Sequence, residues 1–562
     1  MTFTYEETRD SEQLRLLTPA IDAFISRYQN PLATTSTCPR QTLFFFPGGM
    51  ASQLTRATKK FKDGVAAPQT FNYEPLWLTL DAFLFGGARE LKMHRDSVGV
   101  FRDKSDRIIV ADGAVNLFGC TPQDGFIDWC ANNNVDLFIF TWDWRRRLDE
   151  TVKFFVGTFL PFFKARVLAA GCPDPLASFS LVGHSFGGMI VNLILRGNDP
   201  IVANMMRAIT VATPFYGYSG QVHRWFEGEA YLNGLFPPYP FKQGMMETIA
   251  SLPGLYILHF LDEATYNDST NQLALTTDPD FPLPSYPSMD ATIANLRADP
   301  YNPQTNGSLV RYPGLTGFDR SELDYARLQF QQMAAPMAAN VLQKFYNIRG
   351  VRTQSDQQTP ISDTAGSVTW DWIPTSFNST NPSPIVDSGS VPGDDTQPAW
   401  SARLVTNAPA RCINVRASDV QHMFLMNHAQ TLNAIASILC APGAAMNSSV
   451  TTQPEPASDE DVVDFLRWLH KHRRRKTPWP RLDDKALFKV IPPEFREKLP
   501  AIARRIMMDI MKRPGPPALS GRAGGATGTK PPGPDRSRPK KPARKPTGRK
   551  PAAKRRQRGS AS

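Results

Sequence analysis

Four short apolar runs, separated by helix-like stretches, constrain this chain more than any other feature. They are QTLFFFPGG from residue 41, VDLFIFTWDW from 135, FSLVG from 179 and AITVATPFYG from 208. All are too short for a helix and rich in β-branched or aromatic residues, as buried strands are. After the second run, LDETVKFFVGTFLPFFKARVLAAG has helical spacing and stops at Gly171; after the third, GGMIVNLILRG does the same and stops at Gly197. Strand–helix–strand alternation of this rhythm predicts an α/β class: a mostly parallel sheet with helices on both faces.

The rhythm is lost between about 214 and 340, where Pro and aromatics accumulate (RWFEGEAYLNGLFPPYPF, LPGLYILHF). That stretch reads as an inserted cap or lid. Strand-like KFYNIRGV (344–351) and ARCINVRA (410–417), then helical MFLMNHAQTLNAIASIL, resume the sheet. The expected organisation is an N-terminal segment (1–40), a sheet domain in two parts (41–213 and 341–445) around the cap (214–340), a helical C-terminal segment (446–511) and a tail (512–562). Two amphipathic helices are expected in DEDVVDFLRWLHKHRRRK and PPEFREKLPAIARRIMMDIMKR. The tail holds sixteen Lys and Arg against the single acid Asp535, leaving 47 basic and 51 acidic residues elsewhere. The formal charge of +11 therefore belongs to a tail too poor in apolar residues to fold.

Composition excludes several classes. The most apolar run, FFVGTFLPFF, has ten residues and contains Pro161, against the ~20 a spanning helix needs. The N-terminus, MTFTYEETRDSEQ, lacks the basic-then-apolar order of a secretory signal. The expected location is cytoplasmic, with peripheral membrane association. Cysteines 38, 120, 130, 172, 412 and 440 show no Cys-x-x-Cys spacing, so no zinc or redox site is expected. Free, mostly buried thiols are expected, with Cys120–Cys130 or Cys412–Cys440 as the pairs if the chain is exported. No cofactor, metal or obligate protein partner is indicated.

The third strand runs into LVGHSFGGMI, a Gly-x-Ser-x-Gly pattern that chance supplies in roughly one chain of this length in five. Ser185 therefore needs partners before it counts as a nucleophile. A catalytic serine on a strand-to-helix turn needs two oxyanion donors, a histidine base and an acid. Gly49, after the first strand, and Phe186, next to Ser185, offer the backbone N–H groups. Of the eight histidines, His94 precedes the serine and His184 belongs to its turn. His223 and His259 fall in the cap, and His470 and His472 in a basic run. His422 lies in the loop between a strand and the following helix, where the base belongs; His428 is expected inside that helix. The acid candidates are Asp394 and Asp395, in SGSVPGDDTQPAWSARL, with Asp387 as runner-up.

In several ordered blocks over roughly residues 41 to 440 the chain resembles the lecithin–cholesterol acyltransferase family, which includes phospholipid–diacylglycerol acyltransferases and lysosomal phospholipases. FFPGGMASQLTRA, containing Met50, is similar to its oxyanion loop, and EPLWLTLDAFL, containing Trp77, to a segment near its lid. FTWDWRRRLDE, LVGHSFGGMI, VATPFYGY, PGDDTQPAWS and VQHMFLMNHAQTLNAI resemble its remaining blocks. Ala51 departs from a usual glycine and Gln397 from a common valine. The resemblance implies an α/β-hydrolase fold, the triad Ser185, Asp394 and His422, and substrate contacts at Met50 and Trp77. It implies O-acyl transfer from a phospholipid or similar donor to an alcohol through an acyl-serine, with lipase or phospholipase hydrolysis as the alternative. A non-catalytic lipid- or nucleic-acid-binding scaffold is a further alternative. A lipid or membrane surface is the expected partner, and the tail is expected to bind anionic membrane or nucleic acid.

Overall fold

In a computed structural model of the 562-residue chain, the described residues are 4–31, 34–59, 71–77, 87–104, 107–117, 120–197, 199–217, 247–258, 319–353, 367–369, 390–404, 411–440, 455–473 and 491–511. Asp387, His223, His259, most of the expected cap and the whole basic tail lie outside them. Met1–Gly515 forms one compact unit.

The sheet of that unit starts with β1 (Gln41–Phe46), buried along almost its whole length. Successive side chains on a strand point to opposite faces, so Phe44 and Phe46 enter one apolar cluster while Leu43 and Phe45 enter another. β1 pairs in parallel with β2 (Val135–Ile139) on one side and β3 (Phe179–His184) on the other. β4 (Met205–Val211), β5 (Phe345–Arg352) and β6 (Cys412–Ala417) complete a parallel sheet in the order β6-β5-β4-β3-β1-β2. The chain leaves β1 for one neighbour and returns to the other. The crevice outside the carboxyl ends of β1 and β3 is thus the switch point where such sheets bind ligands.

One face carries α1 (Tyr5–Gln29), α3 (Leu148–Phe154), α4 (Leu160–Ala169) and α5 (Phe186–Arg196). Phe24, Phe155 and Phe163 from these layers meet around Phe44, with ring centroids 5.0–5.6 Å apart in three of the contacts. The other face is covered by α2 (Asp124–Asn132) and α6 (Ala429–Leu439), with Phe126 5.1 Å from Phe45. Beside the sheet lies an antiparallel flap of Ser52–Lys59, Phe71–Trp77 and Arg107–Ala114. At the C-terminus α7 (Asp459–Arg473) and α8 (Leu499–Met511) bury Phe465, Leu466, Ile502 and Ile506 in the first cluster. Among the described residues no helix is long and apolar enough to cross a membrane.

The stretch 148–171 is helical as expected, with a π turn, Phe155–Phe159, between α3 and α4. Pro161 has no N–H to give the preceding turn, and a widened turn absorbs that loss. His428 is not inside a helix but is the N-cap of α6, its ring accepting from the Gln430 N–H at 3.3 Å. The residues ahead of it, His422–Asn427, form a 3-10 turn. Finally, the thiols are not all free: Cys38 and Cys440 form a disulfide, and neither expected pair forms. Cys38 enters β1 and Cys440 caps α6, which packs at the start of that strand, where the Gln41 side chain donates to the Leu439 carbonyl at 3.1 Å.

Candidate active site

The site assembles where the sheet changes direction. β3 ends at His184, and Ser185 takes φ 53°, ψ −126° before α5 begins at Phe186. The turn is tight: a Cβ on Gly183 would lie 2.6 Å from the Gly188 Cα, so the strand and helix approach only because residue 183 is glycine, while a Cβ on Gly188 would collide with the Thr213 side chain. Met50, Ala212 and Asp395 also have positive φ. These three strained residues follow strands or turns that frame Ser185, and backbone strain of this kind gathers at functional sites.

His422 opens the turn after β6, and its Nε2 lies 2.8 Å from Ser185 Oγ. Its Nδ1 lies 2.8 Å from Asp394 Oδ2. A carboxylate only accepts, so Nδ1 carries the hydrogen and Nε2 presents a lone pair to the serine hydroxyl. Both partners are almost fully buried, at 2% and 1% exposure. Asp394 is held by its own turn, where Oδ1 accepts from the Gln397 N–H at 2.7 Å and the Thr396 N–H at 3.3 Å. Its carbonyl accepts from the His422 N–H at 2.9 Å. Because the backbone of Gln397 makes this contact, the departure at that position leaves the support intact. Gly350 of β5 gives Asp394 room: a Cβ there would lie 2.9 Å from the Asp394 Cβ. The other acid candidate, Asp395, points elsewhere and accepts from Thr396 Oγ1 at 3.1 Å. Burial and the neighbouring Asp394 charge push its pKa up to about 6.

The loop after β1 lies against this pair. Gly49 and Met50 are the central residues of a turn closed by the Ala51 N–H donating to the Gly48 carbonyl at 3.1 Å. A Cβ on Gly48 would stand 3.1 Å from the Ser185 Cβ, and one on Gly49 3.0 Å from the Phe186 ring. The Trp77 indole donates to the Met50 carbonyl at 2.8 Å. The structure therefore brings Gly49, Met50, Trp77, Ser185, Phe186, Asp394 and His422 into one place. An apolar cavity opens beside Ser185 and His422, walled by Met50, Trp77, Val115, Met423 and Met507 among others.

Sequence reasoning missed the supports of this loop. The Trp142 indole donates to the Pro47 carbonyl at 3.1 Å, and the Trp142 N–H to Ser52 Oγ at 3.1 Å. The Trp144 indole donates to the Ser52 carbonyl at 3.3 Å. Arg145, wholly buried, joins Asp143 to Asp103 with contacts of 2.6–2.8 Å. Burial alone would raise the Asp103 pKa, but Arg145 and Arg146 outweigh it and hold it at about 2. The signal was legible as a Trp-Asp-Trp-Arg block, though its target was not. His184 was also passed over. Its Nε2 lies 2.9 Å from the His422 carbonyl, which can only accept, so Nε2 carries the hydrogen. Burial, with His422 beside it, lowers its pKa to about 3. His94, in contrast, lies in a short exposed strand away from the cavity lining. Among the described residues no group of His, Cys, Asp or Glu is arranged to hold a metal.

No family model matches the chain, and no curated protein does. Among solved structures, a chain of the Tle4–Tli4 complex is 14% identical with a TM-score of 0.41, the match covering 72% of this chain and 99% of that one. Esterase E22 is 13% identical with a TM-score of 0.21, covering 71% and 90%. The peroxisomal α/β-hydrolase Lpx1 of Saccharomyces cerevisiae is 11% identical with a TM-score of 0.19, covering 79% and 88%. Likenesses this distant carry no functional argument. The sheet order, with a serine turn at its switch point and a histidine loop after its last strand, is that of the α/β-hydrolase fold, and the chain has that fold.

Proposed function

We propose that this chain is a serine-nucleophile enzyme that transfers acyl groups from lipid esters. The observation that carries the reading is the buried relay of two 2.8 Å contacts, Ser185 to His422 to Asp394, opening on an apolar cavity. His422 Nε2 takes the Ser185 proton as Oγ attacks the ester carbonyl. Asp394 holds the imidazole in the required tautomer and stabilises its cation. The N–H groups of Gly49 and Phe186 receive the oxyanion, a contribution worth about 3 kcal/mol per donor in comparable sites. Collapse of the tetrahedral species breaks the ester C–O bond, and His422 returns the proton to the departing alcohol. The acyl-Ser185 then passes its acyl group to an alcohol, the proton of which goes to His422 and back to Ser185. The resemblance to lecithin–cholesterol acyltransferases supports an alcohol as acceptor, and water is the alternative.

The test is acyl release from phospholipid vesicles with and without a sterol or diglyceride. New acyl ester formed at the expense of free fatty acid supports transfer; free fatty acid alone makes the chain a lipase or phospholipase. Ser185→Ala is expected to abolish both products while leaving the fold intact, and retained turnover would overturn the reading. We further propose that the tail, 512–562, adheres to anionic lipid, each basic residue near the surface contributing about 1 kcal/mol. Its deletion should weaken vesicle binding in a salt-dependent way. Unchanged binding, or a preference for nucleic acid over vesicles, would contradict this.

A further inference from the structure

We propose that Met507, near the end of α8, limits the acyl chain that the Ser185 site accepts. The inference rests on the acyl-transfer reading and adds a specificity determinant from outside the sheet. Among the described residues lining the cavity, the others come from the loop after β1, the flap and its exit, the approach to α2 and the turns after β3 and β6. Met507 alone comes from the C-terminal helices. It is 1% exposed, its side chain turned inward with those of Leu499, Ile502, Ala503 and Ile506.

The helix that carries it is fastened to the catalytic turn. The Ala457 N–H donates to the Ala501 carbonyl at 3.0 Å, tying α8 to the segment that leads into α7. The Arg504 guanidinium sits over the Phe424 ring at 5.1 Å, two residues beyond His422. The position of Met507 is therefore set relative to the reacting atoms by contacts on α8 itself.

Met507 forms the part of the cavity wall that the C-terminal helices contribute, beside Ser185 and His422. An acetyl group needs little more than the space at Ser185, whereas a chain of many methylenes directed along that wall meets the Met507 side chain. Methionine is unbranched and repacks readily, so a long chain enters by displacing its thioether and a short one need not. Discrimination by chain length follows from that difference, on a wall whose other members, Met50, Trp77, Val115 and Met423, are apolar.

The experiment measures kcat/KM of the full chain for p-nitrophenyl esters from acetate to dodecanoate, in the natural protein and in Met507→Ala and Met507→Trp. The dodecanoate-to-acetate ratio should rise about tenfold in the alanine variant, since one or two methylenes of pocket space shift selectivity by that order. It should fall in the tryptophan variant. Stoichiometric labelling of Ser185 by a small fluorophosphonate shows that each variant retains its fold and its reacting groups. An unchanged chain-length profile in labelled variants would overturn the role of Met507. No Ser185-dependent turnover in the natural protein would overturn the acyl-transfer reading instead.

Discussion

The imidazole of His184 is trapped in its neutral form, with a pKa of about 3 against 6.5 in the open. Below pH 6.5 the unfolded chain binds a proton that the folded chain refuses. Stability is therefore complete above that pH and declines as pH falls toward 3, by about 1.4 kcal/mol per unit. His184→Gln, whose amide can still donate to the His422 carbonyl, should flatten this slope; denaturant midpoints at pH 7 and pH 4.5 compare the two. Asp394→Asn is expected to leave the geometry in place yet lower kcat by about 10⁴, because the wrong imidazole tautomer then faces Ser185. Comparing its kcat with a crystal structure or circular dichroism of the same variant checks both halves of that statement. That Asp394 and His422 meet Ser185 was legible from order along the chain, and the resemblance chose Asp394 over Asp395. The role of His184 was not, since nothing local reveals that its ring reaches a carbonyl 238 residues away.

On the acyl-transfer reading the loop after β1 offers the Gly49 N–H to the oxyanion, and its rigidity is borrowed. Pro47 and Ser52 are each held by a buried tryptophan, and the Trp142 ring packs 5.1 Å from that of Phe186. Trp142→Phe keeps most of that packing but leaves the buried Pro47 carbonyl without its donor. A loosened donor should cost about tenfold in kcat with KM little changed, since misplacement of the donors acts on the transition state. Steady-state kinetics on a short ester, with Tm to confirm folding, tests this. Strands β1 to β4 and the two helices after them were readable from apolar runs and glycine stops. The flap was not, since its first strand, SQLTRATK, holds only Leu54 and Ala57 as apolar residues and its second, FNYEPLW, contains Pro75. α1 was overlooked although Thr4 and Glu7 form a capping box and Leu17, Ile21 and Phe24 recur at helical spacing.

For the whole molecule, the disulfide joins the entry of the sheet to the end of its last helix across 402 residues. No spacing rule pairs cysteines so far apart; only the closed sheet brings Cys38 to Cys440. Such a bridge belongs to an oxidising compartment, and it sets the cytoplasmic expectation a direct question. Thiol titration of the denatured, unreduced protein should find four reactive groups of the six cysteines. Cys38→Ser should lower stability by about 2–5 kcal/mol, read as a fall in Tm. The parallel order of the sheet places Ser185 and Gly49 on adjacent loops, while the histidine comes from the strand at the far edge. Chain order forecast that meeting, and side-chain packing completes it. The most direct test is mass spectrometry of the natural protein after reaction with a fluorophosphonate. The account predicts one adduct, on Ser185, that disappears in His422→Ala; an unlabelled Ser185, or a label elsewhere in the chain, would contradict it.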